Sequence, residues 1–275
     1  MKIGIIGTGN MGRILVEALM DGKAISPSSL MITNRSISKA LLLKDKYPDI
    51  KIGSCSEEVA AQSDLLFICV KPLDMLAILT GIKPHLSAEK CVISITSPIS
   101  TEQIEKIIPC SVIRAIPSIT NRALAGVSLL TFGENCHEFW KKEVEKLFES
   151  ISVPVQIEEN ITRVSSDIVS CGPAFFTYLL QRFINAAVSE TGIEESVATT
   201  LASNMIIGLG ELIKQGHFTL PALQQKVCVK GGITGEGITV LERELGDVFN
   251  HLFNATHEKF AEELEKIKTQ FSHHI

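Results

Sequence analysis

The chain has 275 residues, of which 45% are hydrophobic and 21% charged, so it can bury a full core and is long enough for two domains. Its net charge of −5, without a basic run, gives no electrostatic basis for a nucleic-acid partner, and no apolar run predicts a membrane partner. Its seven cysteines form no C-x-x-C pair and its seven histidines show no ligand spacing, so we expect reduced thiols, a cytoplasmic location and no metal site.

The first predicted elements are a strand, a glycine-rich turn and a helix. Residues 3–6 are an apolar run, which is typical of a buried parallel strand, and apolar positions recur at helical spacing from Met11. Gly7 permits a tight turn, Gly9 lets backbone approach a pyrophosphate, and Gly12 lets the helix pack against the strand. Because the N-terminus of such a helix attracts phosphates, we predict dinucleotide binding; a plain strand-to-helix turn is the alternative.

Further strands alternate with helical patterns through the first half of the chain. Alternation of this kind implies right-handed βαβ units and an α/β, doubly wound Rossmann sheet. We therefore predict a dinucleotide-binding domain over residues 1–160. Its later strands are predicted at residues 30–33, 51–52, 64–70, 91–95, 111–116, 127–130 and 153–155.

The second half of the chain has a different texture, because strand signals vanish from about Ser165. Residues 174–189 and 197–213 are predicted helices with apolar side chains on nearly every face, and such helices must be buried on all sides. One helical half of this size cannot easily supply that cover. We therefore predict an all-helical domain over residues 161–275 that forms a homodimer or a higher assembly of dimers.

The end of the second predicted strand indicates which cofactor is bound. Folds that bind NAD usually place an acid there, about 20 residues after the glycines, to hold the ribose 2′-hydroxyl. Residues 30–38 contain no Asp or Glu, and Arg35 offers a guanidinium that matches a 2′-phosphate. With Asn34, Ser36 and Lys39 as further donors, we predict NADP(H). A solvated arginine on a loop is the alternative interpretation.

A second glycine cluster lies in the helical half, at residues 230–237. Its four glycines precede a helix that is predicted to begin near Ile238. Such a loop could present backbone N–H groups to an anion, or it could simply let two helices cross closely. The residues alone favour neither interpretation.

Taken together, these motifs resemble the pyrroline-5-carboxylate reductase family, enzymes that reduce a cyclic imine to proline. The resemblance implies an N-terminal Rossmann domain, a helical domain that interlocks with a partner's, NADPH-dependent reduction of 1-pyrroline-5-carboxylate to L-proline, and an imino-acid substrate. The last two matching pieces are the more specific. The pieces are Ile-Gly-Thr-Gly-Asn-Met-Gly at 6–12, Val70-Lys71-Pro72, Val-Ile-Arg-Ala-Ile-Pro at 112–117, Cys-Gly-Pro-Ala-Phe at 171–175, and the paired glycines with threonine at 231–234.

The resemblance also implies roles for individual residues. The pyrophosphate loop would be Gly7, Thr8, Gly9, Asn10, Met11 and Gly12, the 2′-phosphate site Asn34 and Arg35, and the ribose contact Ser56. Lys71 and Pro72 would lie on the nicotinamide side. The segment Val229, Lys230, Gly231, Gly232 and Ile233 would bind substrate through backbone amides on its carboxylate. The Thr234 hydroxyl would lie near the imine nitrogen and is the predicted catalytic group.

Several positions depart from the family pattern, most of them in the substrate half. Val229-Lys230 replaces the usual Ser-Pro, and Ile233 replaces a smaller residue. Pro98 removes an N–H from the loop after the fifth strand, and Ser56 replaces an Asn. The chain is therefore identified as a divergent member, similar to the competence-operon branch of the family.

Two other functions compete with imine reduction. A β-hydroxyacid dehydrogenase shares the glycine opening but needs a lysine on the first interdomain helix, and residues 171–196 contain none. An NADPH-binding sensor or accessory protein that has lost reductase activity is favoured by Val229, Ile233 and Pro98. Steady-state turnover, measured beside cofactor binding, separates the three.

Overall fold

Alternating apolar strands and helices build one mixed sheet in the first of two units of the chain. The computed structural model describes residues 1–272. One unit comprises Met1–Pro173 and Ala255–Ile275, and the other comprises Ala174–Asn254. The predicted boundary between residues 160 and 161 stays a prediction.

The sheet has eight strands in the order β3-β2-β1-β4-β5-β6-β7-β8. Every neighbouring pair is parallel except β6 and β7, which run antiparallel. The order reverses between β1 and β4, and in doubly wound sheets ligands bind outside the carboxyl ends of the strands at that point. The strands are β1 Ile3–Ile6, β2 Leu30–Thr33, β3 Lys51–Ile52, β4 Leu65–Ile68, β5 Cys91–Ser94, β6 Ser111–Ile116, β7 Val127–Phe132 and β8 Val153–Gln156.

Twelve α-helices lie within the described residues. They are α1 Asn10–Asp21, α2 Ile37–Lys46, α3 Ser56–Gln62, α4 Met75–Ile82, α5 Thr101–Glu105, α6 Glu138–Glu149, α7 Thr162–Ser166, α8 Gly172–Thr191, α9 Glu195–Lys214, α10 Leu220–Val227, α11 Ile233–Leu245 and α12 Val248–Ser272. The predicted Rossmann class and helical second half are confirmed. The helix expected near Ile238 instead begins at Ile233, because Gly232 serves as its N-cap and later glycines continue the helix.

The core of the first unit has two faces because strand side chains alternate. Ile5 points into a cluster with Leu15 of α1 and Phe148 of α6. Its neighbour Ile6 joins the opposite cluster, which α3, α4 and the end of α12 cover. Both helical layers bury apolar side chains on the sheet, which leaves its carboxyl edge open for a site.

The second unit buries little of its apolar surface within one chain. A small cluster of Ile184, Ala198 and Ala202 is buried between α8 and α9. In contrast, Phe176 and Phe183 on α8 are 67% and 64% exposed. Contiguous exposure of this kind is typical of a surface that another molecule covers.

Helix α9 also has the length and composition of a possible membrane span, and it is the one such helix among the described residues. One helix of this kind is weak grounds for a membrane location, because core and interface helices have similar compositions. The expected absence of a membrane partner stays a prediction.

Candidate cofactor and substrate site

The turn between β1 and α1 is shaped by two glycines that no other residue could replace without strain. Gly7 has φ +98°, and a Cβ there would collide with the Cys69 carbonyl oxygen. A Cβ on Gly12 would collide with the Gly7 carbonyl oxygen. A Cβ on Gly9 would meet nothing within 4 Å. The turn therefore packs tightly on the sheet and is open at Gly9, where backbone could face a ligand.

The N-terminus of α1 has features that favour anion binding. Its N-cap is Gly9, with no side-chain cap, and its first turn has no acidic residue. The first N–H groups of such a helix have no partner within the helix and can donate to a ligand. They also lie at the positive end of the helix dipole. The Thr8 hydroxyl is buried and has no hydrogen-bond partner among residues 1–272. These observations fit the pyrophosphate of a dinucleotide.

Loops from neighbouring strands are tied together beside this turn. The Gly7 N–H donates to the Thr33 carbonyl oxygen at 2.9 Å, and the Thr8 N–H donates to Asn34 Oδ1 at 2.9 Å. Asn34 Nδ2 donates in turn to the Ser36 carbonyl oxygen at 3.0 Å. Asn34 therefore orients the loop that carries Arg35.

A cleft of about 530 Å³ runs along this edge of the sheet. It has the size of a small-molecule site. It brings together six residues predicted from the sequence, Gly7, Gly9, Asn34, Arg35, Ser56 and Lys71, together with Ser36 and Lys39. Pro72 lines an adjoining cavity of about 400 Å³. The remaining predicted residues of the glycine turn, Thr8, Asn10, Met11 and Gly12, adjoin the cleft in sequence but do not line it.

Two cysteines near the cleft differ in their surroundings. Cys69 follows β4 beneath the glycine turn, and burial raises the pKa of its thiol to about 12. It therefore stays protonated at neutral pH and behaves as a small apolar side chain. Cys55 is exposed on the cleft, where its Sγ accepts from the Glu58 N–H at 3.4 Å.

Arg114 on β6 is a functional candidate to which the motif at residues 112–117 gave no role of its own. It is 1% exposed. Its guanidinium donates to Glu159 Oε1 at 2.7 Å, to the Thr162 hydroxyl at 2.6 Å and to the Ser97 carbonyl oxygen at 3.3 Å. A lone arginine inside an apolar strand is the signal that could have found it. It holds the loop after β5 against the segment that follows β8.

The second glycine cluster surrounds the N-terminus of α11 in the second unit. Gly231 has φ +73°, and the Gly232 N–H donates to the Val229 carbonyl oxygen at 2.9 Å. Helix α11 has no side-chain cap, so its first N–H groups are accessible. Val229, Lys230, Ile233 and Thr234 are all exposed within one chain, Ile233 to 93%. The predicted substrate residues thus share one loop and one helix end.

Comparison with known proteins decides the family. A family model described as pyrroline-5-carboxylate reductase dimerisation matches residues 159–263, and one described as NADP oxidoreductase coenzyme F420-dependent matches residues 2–98. ComE operon protein 4 of Bacillus subtilis (strain 168) is 53% identical over 271 residues, which cover 98% of this chain and 99% of that protein. The chain belongs to the pyrroline-5-carboxylate reductase family.

More distant relatives share the full length. Pyrroline-5-carboxylate reductase 3 of B. subtilis is 26% identical and covers 98% of this chain and 99% of its own. A crystal structure of Plasmodium falciparum pyrroline carboxylate reductase with NADP bound matches with a TM-score of 0.81, at 24% identity and 97% coverage of both chains. The reductase-family fold and the cofactor NADP(H), both predicted from the sequence, are confirmed.

Proposed function

We propose that this protein reduces 1-pyrroline-5-carboxylate, or a related cyclic imino acid, to L-proline or its analogue with NADPH. The observation that carries the proposal is the uncapped, glycine-bounded N-terminus of α1 beside a cationic cleft. The cleft belongs to a chain that spans nearly the full length of the named reductases. Such a reaction would serve proline biosynthesis.

In this proposal the first unit holds and orients the cofactor. The N–H groups of α1 take the pyrophosphate, and Arg35 pairs with the 2′-phosphate. The resemblance puts Lys71 and Pro72 on the nicotinamide side, but both line the depression that contains Arg35. Bound NADPH supplies a hydride from C4 of its nicotinamide. The chain's own work is to hold an electrophilic, protonated imine in line with that carbon, and positioning supplies much of the rate enhancement.

The second unit supplies the substrate contacts. Backbone amides of Gly231 and Gly232 bind the substrate carboxylate, and the Thr234 hydroxyl orients the imine nitrogen. Support comes from the accessible N-terminus of α11, since such helix ends favour anions. No separate acid–base triad is needed, because a protonated imine is already activated.

We also propose that the chain forms a homodimer. The measurement that tests this dimer also tests whether the dimers assemble further. The support is the match of residues 159–263 to a dimerisation model and the exposed apolar faces of α8 and α9. An interface that buries these faces would be of the apolar, obligate kind. Light scattering at micromolar concentration tests it: a folded monomer of 30.0 kDa would contradict the proposal.

A reducing, cytoplasmic location is part of the same proposal. All seven cysteines are free thiols in the structure, and Cys69, Cys91, Cys110 and Cys136 are buried. Buried thiols of this kind act as apolar packing and persist in a reducing compartment.

A second candidate function is an NADPH-binding sensor or accessory protein without turnover. The exposed side chains of Val229 and Ile233 at the substrate loop favour it, because apolar groups there cannot donate to a carboxylate. The relative at 53% identity is also named for an operon, whereas those at 24–26% are named as reductases. A role in competence would accompany this candidate.

One experiment separates the two candidates. NADPH oxidation is followed at saturating pyrroline-5-carboxylate, and NADPH binding is measured by fluorescence without it. Turnover that depends on the imine supports the reductase. Tight NADPH binding without turnover, at every cyclic imino acid tested, supports the sensor. Failure to bind NADPH contradicts both.

A further inference from the structure

The cavity of about 400 Å³ adjoins the cofactor cleft and brings in a distant part of the chain. It shares Arg35, Lys71 and Asp74 with the cleft, so the two form one continuous depression. Its other wall carries Glu263 and Lys266 of α12. Neither residue was predicted as part of a site, and they lie more than two hundred positions from Arg35 in the chain.

The end of α12 is held firmly over the turn that follows β4. Ile267 and Phe271 are each 1% exposed and belong to the core cluster that covers one face of the sheet. Gln270 Nε2 donates to the Leu73 carbonyl oxygen at 2.9 Å. Glu263 lies one helical turn before Ile267, and Lys266 lies one turn before Gln270, so each shares a side of the helix with one of these anchors. Their backbone is therefore positioned by packing and not by their own charges.

The charges around the depression favour an anion although the chain is acidic overall. Among the described residues, four cations line the cleft and the cavity (Arg35, Lys39, Lys71 and Lys266), against three carboxylates (Glu57, Asp74 and Glu263). Glu262 lies one turn before Lys266 and attracts it, but the Glu262 carboxylate forms its ion pair with Lys259, with Nζ and Oε2 2.7 Å apart. Within residues 1–272, Lys266 makes no ion pair shorter than 4.0 Å.

We propose that α12 is part of the cofactor site, and that Lys266 joins Arg35 on the 2′-phosphate of NADP(H) as a specificity-determining residue. The inference rests on the proposed cofactor role of the cleft. The apolar side chains of Pro72, Leu73 and Ile267 line the cavity beside these cations. A wall that combines apolar surface with cations suits the adenine ring and 2′-phosphate of the cofactor, so this inference places Lys71 and Pro72 at the adenosine end and not on the nicotinamide side.

The test is cofactor binding to the full chain, measured by titration with NADPH, NADH, adenosine 2′,5′-bisphosphate and 5′-AMP. Lys266→Ala should weaken binding of NADPH and the bisphosphate by about threefold to fivefold, as for one exposed charge contact, and binding of the other two ligands by less than about twofold. Lys266→Arg should retain the parent affinity. Lys268→Ala, which removes an exposed lysine two residues on, is the matched control and should change nothing.

Each other outcome has one meaning. Lys266→Ala and Lys268→Ala could bind NADPH with equal affinity while Arg35→Ala still weakens NADPH binding selectively by about tenfold. In that case the proposal for α12 is wrong and the proposed function stands. Equal losses of affinity for NADPH and NADH would show that Lys266 does not contact the 2′-phosphate and would overturn the inference. A parent protein that binds none of the four ligands would overturn both the inference and the proposed function.

Discussion

The two glycine clusters contain the same local feature, a glycine-rich helix start, in different surroundings. In each, glycines precede a helix that has no side-chain cap, α1 in the first unit and α11 in the second. Around the first, the backbone leaves no space for a Cβ on Gly7 or Gly12. Around the second, a Cβ on Gly231 or Gly237 would meet nothing within 4 Å, and one on Gly232 would meet only the neighbouring Val229. The first cluster is a packed turn, whereas the second is an open one.

This difference shows what a glycine-rich helix start needs in order to become a site. The first cluster has its cleft, its cations and its neighbouring loops within its own unit, so one chain completes it. The second leaves Val229 and Ile233 exposed to 64% and 93% within one chain. A helix N-terminus offers the same N–H groups in both cases, but only enclosure excludes water and strengthens its attraction for an anion.

The largest expected effect comes from filling the packed turn. Gly12→Ala should displace α1 from the Gly7 carbonyl and lower NADPH affinity by about 100-fold, the loss of two charge-assisted hydrogen bonds. The free energy of unfolding should fall by about 1–3 kcal/mol, as in overpacked cores. NADPH titration and thermal unfolding measure the two effects.

The matched change in the open second cluster is Gly237→Ala. It should leave NADPH affinity unchanged and stabilise α11 by roughly 0.5–1 kcal/mol, because glycine lowers helix stability relative to alanine. If Gly12→Ala bound NADPH as tightly as Gly237→Ala, the contrast between a packed and an open cluster would have no functional meaning.

The next effect tests whether a second copy covers the second unit. Phe183→Asp places a charge on the exposed apolar face of α8 and should raise the dimer dissociation constant by about 30-fold or more, as for an interface hot spot. Sedimentation at several concentrations measures it. Glu190→Ala, at an exposed position of the same helix, should sediment as the parent does.

A smaller effect is expected at the substrate end. Thr234→Ala should lower kcat/KM for pyrroline-5-carboxylate by about tenfold or more, because one hydrogen bond to a charged group contributes roughly 1.5–3 kcal/mol. NADPH affinity should hardly change. Val229→Ser restores a carboxylate donor and should lower KM, mainly through uniform binding. Steady-state kinetics check both variants, and a Thr234→Ala variant as active as its parent would remove the hydroxyl from the mechanism.

The smallest expected effect is a difference in alkylation rate between the thiols at the two glycine clusters. With NADPH at three times its dissociation constant, alkylation of exposed Cys55 should slow about fourfold, in line with occupancy, whereas Cys228 beside the second cluster should react unchanged. Cys69 should stay unlabelled at pH 8, because its pKa of about 12 keeps the thiolate rare until the pH approaches that value. Mass spectrometry of labelled peptides reads all three sites. Equal protection of Cys55 and Cys228 would contradict the assignment of the cofactor to the first cluster.

Much of the first unit could be predicted because its signals are local. The apolar run at residues 3–6, the glycine spacing and the missing acid after β2 each concern a few neighbouring residues, and backbone geometry links such patterns directly to a turn. The start of α11 was missed because glycine punctuates loops and also continues helices, and the sequence pattern does not distinguish the two.

What the sequence by itself determined is the Rossmann class, the glycine turn and the preference for NADP(H), all of which follow from short-range periodicity and residue type. Tertiary structure decided which distant side chains join the site. The burial of Ile267 and Phe271 brings Lys266 beside the turn at Lys71, and the sheet register brings Arg114 within reach of Glu159. These contacts depend on how apolar faces pack across the whole chain, and no local pattern around Lys266 or Arg114 encodes where that packing places them.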